Sequence, residues 1–171
     1  MKLSIKEIAV FSMLSALMFA SKVLMEFLPN IHLLGTFIVA FTLVYRQKAL
    51  YPIYGYVFVN GLHEGFNPFG WLPELYLWAI LWGAVMLLPR NMPTKIKPLV
   101  YMTVSALHGL LFGVFYAPVY AIFTGLQLHQ TIPWIVAGLG FDCLHAVGNF
   151  VSGVLILPIV SLLQRIKQET L

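Results

Sequence analysis

The sequence predicts an all-α integral membrane protein, a compact bundle of six transmembrane helices with both termini in the cytoplasm. Three observations predict it. Only 9% of the residues are charged while 60% are hydrophobic, whereas a soluble domain carries about 25% charged residues to cover its surface. The apolar residues come in long blocks rather than short alternating runs, and blocks of about 17–25 are what a bilayer-spanning helix requires. The basic residues fall on alternate connections between those blocks.

The spans, in order, are residues 5–28, 31–45, 49–62, 71–88, 99–123 and 134–163. With 171 residues in all, they form one transmembrane domain over 1–171 with no room for a separate soluble unit. The first stretch follows Lys2 and Lys6 but is too long for the apolar region of a signal peptide and lacks a small-residue cleavage site before Lys22, so it reads as a retained helix. Turn chemistry marks the breaks: Leu28-Pro29-Asn30, the Gly65-to-Gly70 loop, and the charged linker from Pro89 to Pro98. The second and third spans are short, so either can tilt or fail to cross fully.

Orientation follows from the loops. Lys2, Lys6, Arg46, Lys48, Arg90, Lys95, Lys97, Arg165 and Lys167 share one side, which is nine of the ten Lys and Arg residues. The tenth, Lys22, lies inside the first span. Basic flanks stay cytoplasmic, so this side is inner and the number of crossings is even. The net charge of +4 is that bias, and nucleic-acid binding need not be invoked. One cysteine, Cys143, excludes an internal disulfide and any multi-cysteine metal site.

The other polar residues gather toward the outer half: Lys22, Glu26, His32, Asn60, His63, Glu64, Asn67, Glu74, Asp142, His145 and Asn149. An ionisable group deep in a membrane helix costs about 2.5–3.5 kcal/mol on insertion scales, so it normally faces a protein interior or a wet cavity. Trp71, Glu74, Trp78 and Trp82 occupy one stripe of the fourth helix; Trp134, Gly138, Asp142, His145 and Asn149 occupy one of the sixth. A carboxylate among aromatic rings suits a small planar or cationic ligand, held by stacking and charge-assisted hydrogen bonds. The candidate substrate-binding residues are therefore Asp142, His145, Asn149, Glu74, Trp71, Trp78, Trp134, Asn60, His63 and Glu64, with His145 the expected partner of Asp142 at i+3.

Each has a plainer alternative. Trp71 and Trp134 equally suit interfacial anchors, and Trp78 and Trp82 suit packing. Lys22 and Glu26 suit a self-neutralising i, i+4 pair. His63 and Glu64 suit a solvated rim, and His108 suits a hydrogen-bonded structural role. Small residues repeat every four positions at Ser12, Ala16 and Ala20 and again at Ser105, Gly109 and Gly113. Such stripes allow close helix approach in lipid, either within the chain, the use the sequence favours, or against another membrane protein. No hydrolase, metalloprotease or Walker-type motif occurs. The chain is expected not to be an enzyme, with no cofactor or resident metal.

The whole length resembles the substrate-binding membrane subunits, or S components, of bacterial energy-coupling factor (ECF) vitamin transporters. The likeness rests on size, helix count, cytoplasmic termini, and Lys2-Leu3-Ser4-Ile5-Lys6-Glu7 leading into an alanine-rich first helix. That family's Ala-x-x-x-Ala stripe, which docks the coupling subunit, is matched by Ala16-Leu17-Met18-Phe19-Ala20, extended by Ser12. The resemblance implies a bacterial cell-membrane protein that captures a vitamin-like nutrient from outside at high affinity. Its partners would be a transmembrane coupling subunit and two cytoplasmic ATPases, which would drive release inward. The Met-x-His opening of the cobalt and nickel members is missing from Met1-Lys2-Leu3, so a metal cargo is not expected. The rival readings are a scaffolding protein of the cell envelope and a solitary proton-coupled carrier using Asp142, His145 and Glu74 as a relay.

Overall fold

The computed structural model describes residues 3–170, the side chain of Thr170 excepted; Lys2 lies outside the described residues. Among these the regular structure is all helical, without strands. Eight α-helices follow one another: α1 (Ile5–Leu24), α2 (Leu34–Tyr45), α3 (Leu50–Glu64), α4 (Trp71–Leu87), α5 (Lys97–Leu110), α6 (Phe112–Thr124), α7 (Leu128–Ser152) and α8 (Ile156–Thr170). Three continuous helical segments are long and apolar enough to cross a membrane: Ile5–Leu24, Lys97–Thr124 and Leu128–Glu169.

α1 begins with a capping box, in which the Ser4 hydroxyl accepts the Glu7 amide and the Glu7 carboxylate accepts the Ser4 amide. This satisfies two of the orphan donors at a helix start. α1 and α3 run parallel, clamped at both ends. The Glu7 carboxylate pairs with Lys48 at the start, and the Lys22 ammonium lies 2.6 Å from Glu64 at the finish. Between these clamps Ser15 donates to the Pro52 carbonyl at 3.0 Å.

α2 is the central helix. Every residue but Leu43 is buried, as expected of a helix that is apolar all round. It has only 12 residues, about 18 Å at 1.5 Å per residue, and so is shorter than the bilayer core. It ends at Arg46, which takes φ +55° and turns the chain through a short 3-10 segment into α3.

Two long spans carry interruptions that the sequence does not announce. Residues 99–123 fall within the apolar segment Lys97–Thr124, whose regular helical hydrogen bonding is interrupted at Leu111 between α5 and α6. Residues 134–163 begin earlier, at Leu128, and pass through a 3-10 segment, Gly153–Leu155, into α8. The first helix also stops sooner, at Leu24, and Asn30 at φ +56° reverses the chain toward α2.

Outside, α1 exposes Ile5, Ile8, Met13, Leu17 and Leu24, and α7 exposes Ile132, Val136, Phe141, Leu144, Val147 and Val151. An apolar exterior of this kind suits lipid and would be a liability in water. The small-residue stripes divide. Ser105 and Gly109 are buried between helices, whereas Ser12, Ala16 and Ala20 are exposed on α1. The internal packing favoured by the sequence is therefore corrected for α1: its inward face is Phe11, Leu14, Ser15 and Met18.

Candidate functional site

The basic and acidic-aromatic residues occupy opposite ends. Glu7 and Lys22 are 15 positions apart, about 22 Å along a helix. At the Glu7 end, Arg46, Lys48, Arg90 and Lys167 line one cavity together. The candidate residues sit toward the Lys22 end.

There α3 and α4 share one polar network. Glu74, in the first turn of α4, accepts a hydrogen bond from the Tyr56 hydroxyl at 3.1 Å and from the Asn60 amide at 3.0 Å. The Asn60 amide also lies 3.4 Å from Glu64, which takes the Lys22 ammonium. Lys22 does pair with Glu26, at 3.0 Å, but the contact with Glu64 is shorter, so the local i, i+4 pair is part of a cross-helix network. His63 lies at the rim, half exposed, 3.9 Å from Glu26 and edge-on to Phe19.

The α4 stripe faces inward along its whole length. Trp71 donates its indole N–H to the Val57 carbonyl at 2.9 Å. Trp78 is buried. Trp82 donates to the Arg46 carbonyl at 3.0 Å. Phe66 meets Trp71 edge to face, and both pack over Gly61, where an added Cβ would come within 2.6 Å of each. The 65–70 loop is thereby drawn over the end of α3.

The α7 stripe faces α5 and α6. Trp134 stacks on Tyr120, with ring centroids 4.4 Å apart, and on Tyr116 at 6.3 Å. Asn149 donates to the Ser105 carbonyl at 3.1 Å. Asp142 accepts the Gly113 amide. This corrects the expected Asp142–His145 pairing: the carboxylate serves the first turn of α6, opened by the break at Leu111. His145 instead packs edge-on to His32 and to Phe112, at 4.8 Å in each case.

Rings join the two stripes. Trp78 lies between Tyr56, His32, His108 and Phe112 at 5.8–6.5 Å, and Phe112 continues to Tyr116 and so to Trp134. His108 is held through Nε2 by the Leu77 carbonyl at 2.9 Å. Several polar atoms in this interior are buried without a hydrogen-bond partner: Trp78 Nε1, His32 Nδ1, His108 Nδ1, His145 Nε2 and Asn60 Oδ1. Among the described residues, no group of three or more His, Cys, Asp or Glu is placed to hold a metal ion.

Of the candidates, Asn60, Glu64 and Glu74 meet in the polar network, while Trp78 and His145 meet in the ring cluster. Trp134 is joined only through other rings, and His63 stands aside. Tyr56, His32 and Phe112 were missed as members. Tyr56 gives no signal in an apolar run; His32, a lone polar residue at the entry to an apolar helix, gives a weak one. No family model, no curated protein and no solved structure matches the chain.

Proposed function

We propose that the chain is a membrane-embedded substrate-binding subunit of the ECF type, with six crossings and both termini on the inner, basic side. It captures a small vitamin-like molecule, by preference a planar heterocycle, from outside. It delivers that molecule inward together with a transmembrane coupling subunit and two ATPases. The observation that carries this reading is the buried cluster around Trp78. A buried polar atom without a partner costs about 1–3 kcal/mol, and native proteins keep few of them. Here an indole N–H, three imidazole nitrogens and an amide oxygen share one aromatic interior beside the Glu74 carboxylate. Flat rings with edge donors and acceptors are what a heterocycle would engage. The exposed Ser12-Ala16-Ala20 stripe leaves a close-approach face for the coupling subunit.

The test is native mass spectrometry of the purified chain for a co-purified small molecule, followed by titration of that molecule against variants. Trp78→Phe keeps a ring and deletes the N–H, so affinity should fall about tenfold for one lost hydrogen bond. Trp82→Phe should leave affinity unchanged. Absence of any saturable small molecule would defeat the proposal and favour a scaffold. The Lys22–Glu64–Asn60–Glu74 chain favours the carrier as second reading; uptake persisting without any ATPase would select it.

A further inference from the structure

The basic end of the molecule holds a feature that nutrient capture does not use. Two adjoining cavities of about 520 and 530 Å³ share Arg46 and Arg90 in their linings. One adds Lys97, and the other adds Lys48 and Lys167. Among the described residues, the one carboxylate lining either cavity is Glu7, and Glu7 is already paired with Lys48. The trough is therefore strongly cationic.

Its cations are incompletely satisfied from within. One terminal nitrogen of Arg46 donates to the Met86 carbonyl at 3.2 Å, while Nε is buried without a partner. No carboxylate among the described residues forms an ion pair with this guanidinium. Its backbone stands at φ +55°, uncommon for a residue other than glycine, and its carbonyl is tied to Trp82. Tyr45, on the wall of the same trough, is only 6% exposed, and its hydroxyl is also without a partner. A guanidinium fork and a phenol O–H are both donors suited to phosphate oxygens.

The walls indicate which anion. In the Lys97 lobe the cations give way to an apolar wall that includes Leu43, Leu157 and Val160. A free anion has no use for such a wall, whereas a phospholipid has a charged head and an acyl chain to match both parts. Basic pockets between membrane helices are a recognised setting for anionic headgroups. We propose that the Arg46–Arg90 trough is a binding site for an anionic phospholipid, its phosphodiester among Arg46, Arg90 and Lys97 and its acyl chain along the apolar wall. The proposal rests on the membrane reading but not on nutrient transport.

The full-length chain should be purified in detergent and exposed to equal amounts of phosphatidylglycerol and phosphatidylcholine, with retained lipid counted by native mass spectrometry. Phosphatidylglycerol should be retained in preference, at a fixed small number per chain. The double variant Arg90→Gln, Lys97→Gln should lower that retention about tenfold or more, and Arg46→Gln should act likewise. Should Arg46→Gln fail to fold, the double variant, at exposed or half-exposed positions, carries the test alone. Lys95→Gln with Arg165→Gln, which remove equal charge from outside the trough, should change nothing. The idea is overturned by equal retention of the two lipids, or by equal losses in both double variants, which would indicate diffuse surface charge. Displacement of the lipid by millimolar inorganic phosphate would also overturn it, since the site would then hold a free anion.

Discussion

The carboxylate of Asp142 accepts the amide of Gly113 through both oxygens, at 3.2 and 3.3 Å, joining α7 to the first turn of α6. The helix that starts after Leu111 has no side-chain cap of its own, so Asp142 supplies from another helix what a capping residue normally supplies in sequence. A negative charge there also complements the helix dipole. The contact is close: a Cβ on Gly113 would lie 2.5 Å from Asp142 Oδ2.

Asp142→Asn and Asp142→Ala should therefore separate. Asparagine keeps an oxygen for the Gly113 amide and should lose less than about 1 kcal/mol. Alanine loses the acceptor entirely and should lose about 1–2 kcal/mol, the range for a deleted cap. Unfolding in mixed micelles measures both, and equal losses would mean that charge, not the hydrogen bond, is what α6 requires.

A less yielding contact sets a second expectation. An added Cβ on Gly109 would stand 3.0 Å from the backbone of both His145 and Ala146, and backbone cannot rotate aside. Gly109→Ala should cost about 1–3 kcal/mol through overpacking and spread α5 from α7. Gly138→Ala, which meets nothing within 4 Å, should be neutral or slightly stabilising because alanine is the better helix former. Thermal melting of the two purified variants compares them directly.

These contacts also mark what the sequence could and could not tell. The inward stripes of α4 and α7 were legible, since Glu74, Trp78, Asp142, His145 and Asn149 obey helical periodicity and stand out in an apolar background. The partner of Asp142 was not. The i+3 rule proposed His145 on the same helix, but the actual donor is exposed by an interruption at Leu111 that no proline or charge announces. The face of Ser12, Ala16 and Ala20 was equally illegible, because small residues are compatible with packing inside and with exposure. Tyr56 became part of the network only through Glu74, a partner 18 residues away.

The Lys22 ammonium serves two carboxylates, Glu26 at 3.0 Å and Glu64 at 2.6 Å. Lys22→Met leaves the part-buried Glu64 without its cation and should lower stability by about 1–3 kcal/mol, less than for a fully buried pair because water reaches both partners. Adding Glu64→Gln should restore part of that loss. Denaturation of the single and double variants closes the cycle, and strictly additive losses would show that the contact contributes nothing as a pair.

Sidedness is open to direct chemistry. Cys143 is exposed, so Cys143→Ser provides the background. On it, His129→Cys lies in the first turn of α7 and Lys95→Cys lies in the basic linker, both exposed. A membrane-impermeant maleimide applied to intact cells should label position 129 and spare position 95 until the cells are opened. The opposite pattern would invert the proposed orientation and with it the proposed capture of a ligand from outside.

On the proposed function, the exposed stripe should separate binding from transport. Ala16 and Ala20 meet solvent or lipid on α1, while Phe11, Leu14 and Met18 hold that helix to the core from its other side. Ala16→Leu and Ala20→Leu therefore add bulk outside the fold and should change stability by less than about 0.5 kcal/mol. They should also leave ligand affinity of the isolated chain intact. A partner helix that needs close backbone approach would be pushed away by each leucine, so uptake in cells supplying the coupling subunit and ATPases should be lost. Uptake at the normal rate in both variants would assign docking to another face, whereas loss of binding together with uptake would mean that the outward surface of α1 is tied to the interior after all.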